Sequence, residues 1–288
     1  MIHTEPPISV VLCADDYGLA PGVGQAIRDL IARGRLSATS CMVVADAWPA
    51  EADLIKPLKN NADIGLHLTL SDQRACLASA RLAPGGRFRP LARLILGSMA
   101  RSIPAAEIRS EILAQLDRFE AAMGRPPDFI DGHQHVHQLP VVRDVLLDLF
   151  ETRLKGAGTF VRYCDEPLGA IVRCGVAPLR AAVISLLGRG FARSGRARGI
   201  PGNRRFRGVR SFDHDEDPAR LFAEFLGAPL DGLLVMCHPG LPDAALAALD
   251  PVTEPRRAEY EFLKSGAFAA LLDRAGVRLA RFRDLRKT

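Results

Sequence analysis

The first third of the chain alternates short apolar runs with amphipathic stretches. Residues 8–14, 38–44 and 63–70 are rich in apolar and β-branched side chains, which predicts buried strands. Residues 22–34 and 50–59 lie between these runs and have the pattern of helices. Strands and helices that alternate in this way form a parallel sheet with right-handed crossovers. The pattern therefore predicts an α/β fold.

The same alternation continues to the end of the chain, with three interruptions. Further strands are predicted at residues 128–132, 159–163, 232–237 and 277–282, and further helices at 105–123, 141–154, 168–187, 218–226 and 254–272. Residues 71–103, 188–210 and 241–252 lack a clear period and are predicted to be loops. Long loops in α/β proteins are usually lids or binding loops. We expect one catalytic domain over residues 1–288, with insertion loops at about 71–103 and 188–210.

Polar side chains recur at or near the ends of the predicted strands. They are Asp15, Asp16, His67, Asp131, His133, Arg162 and His238. In a closed or nearly closed parallel barrel, the carboxyl ends of all strands meet on one face, where active sites lie. We therefore expect these distant residues to converge in space.

Three of the seven histidines lie between positions 133 and 137. In an extended segment, Asp131, His133, His135 and His137 would project to the same side. Imidazole is the commonest metal ligand in proteins, so the cluster indicates a metal site. His133 and His137 would be about 13 Å apart in a straight strand, so only one or two of these histidines can bind one ion. The alternative is a polar strand end with hydrogen-bonded histidines.

Asp16, His67 and His133 form a plausible ligand set of one carboxylate and two imidazoles. Such a site leaves positions open for water and substrate, and it polarises a carbonyl oxygen, as amide or ester hydrolysis requires. Asp15 could then act as the general base and His238 as the general acid.

Each of these assignments has a structural alternative. Asp15 and Asp16 could cap a helix, His67 could be a hydrogen-bonded core histidine, and His238 could belong to a turn before Pro239. Arg162 could be only a salt-bridge partner. The unbroken apolar strand before Asp15 favours a functional interpretation of the acid pair.

Composition excludes several classes of protein. The net charge is +5, but no basic face interleaved with aromatic residues is present, so nucleic-acid binding is not expected. No apolar stretch approaches the roughly 20 residues that span a bilayer, and the N-terminal residues lack the basic region of a signal peptide. The six cysteines include no Cys-x-x-Cys pair, which favours reduced thiols in a cytoplasmic protein.

Four motifs together resemble the YdjC-like carbohydrate deacetylases. They are Ala-Asp-Asp-Tyr-Gly-Leu at 14–19, Gly-Leu-His-Leu at 65–68, Asp-Gly-His-Gln-His-Val-His at 131–137 and Met-Cys-His-Pro-Gly at 236–240. That family includes chitooligosaccharide deacetylases and a hopanoid-biosynthesis branch, and it is related in architecture to polysaccharide deacetylases. The resemblance extends from the first strand to the helix containing Arg257 and Glu261. One departure is Cys13, where many relatives have Asn.

The resemblance implies a distorted (β/α) barrel that uses a divalent metal ion to remove acetyl groups from N-acetylated sugars or lipid-linked conjugates. The implied ligands are Asp16, His67 and His133, the implied base is Asp15, and the implied acid is His238. Substrate contacts or support of the ligands would come from Asp131, His135, His137 and Arg162. Magnesium or zinc is expected, with cobalt and manganese as further options, and relatives suggest a homodimer.

Three alternative functions remain open at this point. A phosphoesterase would use the His-x-His pair to bind two or three ions, with His135 as a direct ligand. An iron oxygenase would use two histidines and one carboxylate, but it needs no acid pair. A sugar-binding barrel without turnover would keep the pocket and lack activity.

Overall fold

In the computed structural model, which describes residues 6–285, eight strands form one sheet whose strand pairings are all parallel. The strands are β1 (Ile8–Tyr17), β2 (Ala38–Cys41), β3 (Asp63–Leu68), β4 (Phe129–Gly132), β5 (Phe160–Val161), β6 (Arg205–Arg207), β7 (Leu233–Cys237) and β8 (Val277–Leu279). Their order is β5-β4-β3-β2-β1-β7-β6, and β8 pairs with the beginning of β1.

The two edges of this sheet approach each other. β5 and β6 lie at opposite ends of the strand order, yet Val161 of β5 forms a parallel bridge with Gly202, just before β6. The backbone N–H of Val161 donates to the carbonyl oxygen of Pro201 at 2.9 Å. The sheet therefore curls into a nearly closed, distorted (β/α) barrel, which confirms the predicted fold class.

Helices cover the outside of the sheet and connect its strands. They are α1 (Pro21–Ala32), α2 (Trp48–Ile55), α3 (Leu91–Met99), α4 (Ala105–Met123), α5 (Val142–Thr152), α6 (Leu168–Cys174), α7 (Pro178–Ala197), α8 (Pro218–Phe225), α9 (Ala244–Leu249), α10 (Glu254–Lys264) and α11 (Gly266–Arg274). Short 3-10 turns occur at Lys56–Leu58, Pro84–Gly86, His133–Gln138 and Phe282–Asp284. Within residues 6–285, no helix is both long enough and apolar enough to cross a bilayer.

All three segments that we predicted to be loops contain regular structure, so these predictions were wrong in part. Residues 71–103 contain α3, residues 188–210 contain the second half of α7 and β6, and residues 241–252 contain α9. The buried face of α7 explains the error there, because it includes Gly188, Ala192 and Gly195. Small residues permit close packing without producing an apolar period in the sequence.

Two helices that we predicted as single elements are divided. Gly175 adopts a left-handed conformation (φ 70°) after α6, and Pro178 begins α7. Ser265 lies between α10 and α11, and its hydroxyl accepts a hydrogen bond from the Phe268 backbone N–H. The hydrophobic pattern continues across both breaks, so only the turn residues mark them.

Candidate active site

Strand register brings the predicted site residues to one end of the barrel. β3 and β4 pair so that His67 lies beside Asp131. β1 and β7 pair through Ala14 and Cys237, which places the residues after them, Asp15 and His238, close together. His133 follows β4 directly, and Arg162 follows β5. The predicted convergence of strand ends is therefore present.

Asp15 and Asp16 lie inside β1 rather than after it, at an irregularity in the strand. The register between β1 and β2 shifts between Ala14 and Tyr17, and Asp16 has a left-handed backbone (φ 66°). Successive side chains of a regular strand point to opposite faces, and a bulge changes that alternation. Because of this bulge, both carboxylates line the same cavity.

Asp16, His67 and His133 form a compact set of metal-ligating atoms. Asp16 Oδ1 is 3.3 Å from His67 Nε2 and 3.1 Å from His133 Nδ1. One ligand atom from each residue lies within 4.8 Å of the others. Asp131 Oδ1 is 2.7 Å from His67 Nδ1, which leaves Nε2 facing Asp16. This donor set fits one divalent cation with open coordination positions.

The charge around His67 favours a cation at this position. Burial alone would lower the pKa of His67, but the charge and hydrogen bond of Asp131, with help from Asp16 and Asp15, raise it to about 10. The site therefore stabilises a positive charge on the imidazole. A metal ion bound by the same atoms would take the place of that proton.

Arg162 is fully buried and joins two of the carboxylates. Its Nη1 and Nη2 donate to the two oxygens of Asp15 at 2.7 and 2.5 Å, and Nη2 is 2.5 Å from Asp131 Oδ2. Burial would raise the pKa of Asp15, but the Arg162 guanidinium outweighs it and holds that pKa well below its usual value. Asp15 is therefore ionised and fixed in orientation.

Arg256 is a site residue that the sequence analysis missed. Its Nη2 donates to Asp16 Oδ2 and to Asp250 Oδ2, both at 2.6 Å. Burial opposes ionisation of Asp16, but Arg256 keeps its pKa well below the usual value. The sequence contains a signal for Arg256. Arg256 and Glu259 are charged residues at helix positions that share one face with Tyr260 and Leu263, and this is the buried face of α10, which also includes Pro255.

His238 faces Asp15 across the cavity. Its Nε2 lies 4.0 Å from Asp15 Oδ2, and burial lowers its pKa although both acids of the pair oppose that shift. Glu259, also missed in the sequence, accepts a hydrogen bond from the His238 backbone N–H at 2.5 Å and another from Arg210 at 2.7 Å. The ring of Phe212 packs edge-on against the imidazole. These contacts hold His238 in place.

The segment from His133 to Gln138 is a 3-10 turn, so the expected alternation of an extended strand was wrong. Gln134 and His135 both have left-handed backbones (φ 52° and 60°). His135 lines the cavity and packs against Phe206. His137 does not line it; its side chain is buried, with Nε2 3.1 Å from the Arg162 carbonyl oxygen. His137 therefore packs against the backbone at Arg162 and does not line this cavity.

A second group of potential metal ligands surrounds the positively charged side chain of Arg162. Cys13, Asp15 and Asp131 have ligand atoms within 4.8 Å of one another. The guanidinium of Arg162 lies among them and contacts Cys13 Sγ at 3.2 Å. Within residues 6–285, the two groups of this kind include neither His135 nor His137. The geometry thus favours one ion and not the several ions of a phosphoesterase.

The cavity above these residues has a volume of about 470 Å³. Asp15, Asp16, His67, His133 and His238 lie close together in its lining. The remaining lining comes mainly from aliphatic side chains of α3 and α7 and from the segments after β4 and β6. A cavity of this size accommodates a small substrate next to the proposed ligands.

A family model described as "YdjC-like protein" matches residues 9–274. This chain belongs to the YdjC-like family. The chitooligosaccharide deacetylase of Citrobacter koseri is 27% identical over 282 residues, covering 96% of this chain and 98% of that protein. The human carbohydrate deacetylase is 32% identical over 170 residues, covering 57% of this YdjC-like chain and 50% of the human protein. The match to the mouse carbohydrate deacetylase, also 32% identical, likewise spans about half of each chain, 51% and 48%.

Solved structures share the fold of this YdjC-like chain at low sequence identity. A protein of Enterococcus faecalis V583 named for cellobiose-phosphate cleavage has a TM-score of 0.75 at 19% identity, with 98% of this chain and 100% of that chain covered. A peptidoglycan N-acetylglucosamine deacetylase has a TM-score of 0.51 at 12% identity, with 97% and 88% covered. At these identities the likeness shows the fold alone.

Proposed function

We propose that this chain is a metal-dependent hydrolase that removes acetyl groups from N-acetylated sugars or sugar conjugates. The observation that carries the proposal is the ligand set Asp16, His67 and His133, with Asp15 and His238 beside it in one cavity. Membership of the YdjC-like family and the names of the relatives, carbohydrate deacetylase and chitooligosaccharide deacetylase, support this substrate class.

One divalent cation would be held by Asp16, His67 and His133. When bound, it would supply Lewis-acid polarisation of the amide carbonyl and lower the pKa of a coordinated water. Nitrogen and oxygen ligands suit zinc and magnesium, and also cobalt and manganese. Asp131 orients His67 through its Nδ1, and Arg256 orients Asp16 through Oδ2.

The chain itself provides two groups for proton transfer. Asp15 is ionised and held by Arg162, so it can accept a proton from the attacking water. His238 lies on the other side, and it would protonate the departing amine. Arg162 and Glu259 act through these two groups by fixing their positions.

Separate Asp15→Asn and Asp16→Asn substitutions test this division of roles. Asn tolerates a left-handed backbone, so D16N should keep the bulge while losing the anionic ligand. We expect D16N to lose both bound metal and acetate release, and D15N to keep the metal and lose acetate release by at least about 100-fold.

Metal content is measured by elemental analysis, and acetate release is measured on N-acetylglucosamine oligomers. The proposal is wrong if metal content survives both substitutions or if both variants still release acetate. One ion per chain is expected, whereas a phosphoesterase would hold more than one. A sugar-binding barrel would release no acetate from any substrate at saturating metal.

We further propose a cytoplasmic location and a homodimeric state. All six cysteines are unpaired, four of them buried, which suits a reducing compartment. Light scattering on the purified chain tests the dimer, because a monomeric mass at micromolar concentration would contradict it.

A further inference from the structure

A second cavity, with a volume of about 490 Å³, borders the face of α3 that points away from the candidate active site. With about 3.6 residues per turn, Leu91 and Ile95 point to one side of α3, and they line the active-site cavity. Arg93 and Gly97 point to the opposite side and line the second cavity. The two cavities share no lining residue among those described. We call the second cavity the arginine pocket, because Arg81 and Arg89 line it together with Arg93.

The positive charge of the arginine pocket is not balanced within its lining. The lining residues of the described chain include three arginines and neither Asp nor Glu. Within residues 6–285, these three arginines form no ion pair, whereas the next two along the chain, Arg101 and Arg109, pair with Asp144 and Asp148. A concave surface that collects cations without counter-charges attracts anions.

Contacts with the backbone hold two of the three arginines at the pocket. Arg89 Nε donates to the Arg81 carbonyl oxygen at 3.1 Å, and Arg81 Nη1 donates to the Ser102 carbonyl oxygen at 3.4 Å. Glu107, outside the lining, accepts from the Arg81 backbone N–H at 3.0 Å, and its charge offsets part of the charge of Arg81. In the described part of the chain, the Nη groups of Arg89 and the guanidinium of Arg93 have no hydrogen-bond acceptor, so these donors are available to a ligand.

The rest of the arginine pocket is largely apolar. Leu70, Leu82 and Leu94 line it and are at most 2% exposed, and Ile103 is 8% exposed. Arginine side chains donate paired hydrogen bonds to phosphate oxygens, and the buried apolar surface suits the organic part of a ligand. The volume is sufficient for a small metabolite.

We propose that the arginine pocket binds a small organic phosphate, and that this binding is coupled to the candidate active site through α3. Arg89 and Arg93 donate to the phosphate oxygens, and Arg81 adds a third positive charge. Because α3 lines both cavities, a ligand that orders this helix changes the free energy of binding at the other cavity. The binding site is independent of the proposed function, whereas the coupling rests on it.

Phenylphosphonate tests the binding site, because it joins a phosphate-like group to an apolar ring through a bond that hydrolases do not cleave. Binding is measured by calorimetry on the full chain with metal chelated, so that the ligand cannot bind to an ion at Asp16. A salt concentration of about 0.15 M screens non-specific attraction. We expect one phenylphosphonate per chain and no binding of benzyl alcohol, which lacks the charge.

Arg93→Gln removes one of the available donors, and Arg278→Gln is its matched control. Arg278 is exposed on β8, beside Ser9 at the other end of the barrel. Neither side chain makes a hydrogen bond within the described residues, so both variants should fold like the wild type. We expect R93Q to weaken phenylphosphonate binding at least about tenfold and R278Q to leave it unchanged. Equal affinities for the two variants would overturn the site.

A phosphate group can belong to a soluble molecule or to a lipid headgroup. Sedimentation with vesicles of phosphatidic acid, compared with vesicles of phosphatidylcholine, separates these two sources. We expect no sedimentation that depends on Arg93. If phosphatidic acid sediments the wild type but not R93Q, and phenylphosphonate does not bind, the ligand is a headgroup and the assignment to a small molecule is wrong. Binding of neither probe would overturn the site altogether.

The coupling is tested on the metal-loaded enzyme with N-acetylglucosamine oligomers. Saturating phenylphosphonate should lower KM about fivefold in the wild type and leave KM of R93Q unchanged. An unchanged KM in the wild type, or an equal rise in both proteins through competition at the metal, would overturn the coupling. If no acetate is released with or without the ligand, the proposed function is wrong, and the calorimetric titration still decides whether the site exists.

Discussion

Arg256 shows how a single buried side chain controls a candidate metal ligand. One of its nitrogens contacts Asp16 and Asp250, and its Nε donates to the Val252 carbonyl oxygen at 3.1 Å. Buried ion pairs contribute little net stability, but they restrict the geometry of the side chains that they join. By holding Oδ2 of Asp16, Arg256 leaves Oδ1 directed toward His67 and His133.

Arg256→Lys keeps the positive charge and removes the planar fork that reaches three acceptors. We expect R256K to weaken metal affinity by about 10- to 100-fold, as the loss of a group that orients a ligand usually does. Competition with a chromophoric chelator measures the affinity. The control is R257K, because the Arg257 side chain is 52% exposed and contacts only the surface residue Glu254 among described ion-pair partners. Equal affinities for R256K and R257K would contradict this role.

At the scale of elements, α7 illustrates why a helix can be absent from the hydrophobic pattern. Gly188 and Gly195 let α7 approach the histidine turn and Tyr163 closely, and Gln138 Nε2 donates to the Ile184 carbonyl oxygen at 3.1 Å. The same helix supplies Val183, Ile184 and Leu187 to the lining of the cavity. Close packing by glycine therefore determines where this part of the lining lies.

Gly195→Ala should destabilise the fold although alanine favours helices. A Cβ at Gly195 would lie 2.4 Å from the hydroxyl oxygen of Tyr163, which is buried and bonded to the Ile200 carbonyl oxygen. We expect a loss of about 1–3 kcal/mol in the free energy of unfolding, measured by urea denaturation. Gly169→Ala in α6 is the matched control, because its nearest contact is 3.7 Å away, and it should be neutral or stabilising. Equal changes in the free energy of unfolding for both variants would contradict this role of Gly195.

At the scale of the whole molecule, closure of the barrel determines which residues meet. The bridge between Val161 and Gly202 brings the edge strands together, so that Arg162 reaches Asp15 across the interior. An open sheet with the same strands would leave these residues apart. Closure thus places buried titratable groups in the centre of the fold, and the stability of the whole chain should depend on pH.

The lowered pKa of His137 predicts the direction in which stability should change with pH. Burial lowers its pKa from 6.5 to about 4, so the folded chain binds fewer protons than the unfolded chain between these values. Stability should therefore fall as pH decreases from about 6.5 to 4, by up to about 3 kcal/mol from this residue.

Denaturation of the wild type and of His137→Gln across this pH range, with metal chelated throughout, measures the contribution. Gln can still donate to the Arg162 carbonyl oxygen but does not titrate, so H137Q should show a weaker pH dependence. Identical slopes for the two proteins would show that His137 does not make this contribution.

The sequence by itself determined the order of strands and helices through most of the chain. Apolar runs mark strands because the strands are buried on both faces, and polar residues at their ends mark the face where a site forms. The four motifs were sufficient to identify the family, which the match over residues 9–274 confirms. The set Asp16, His67 and His133 followed from the same positions, and the structure brings these residues together.

Only the tertiary structure decided how the site is assembled. The bulge at Asp16 allows adjacent acids to share one cavity, the turn after His133 separates His135 from His137, and Arg256 reaches Asp16 from 240 positions away. These features depend on backbone irregularities and on contacts between distant segments. Local hydrophobic pattern does not contain such information, because it records which side chains are buried and not which of them meet.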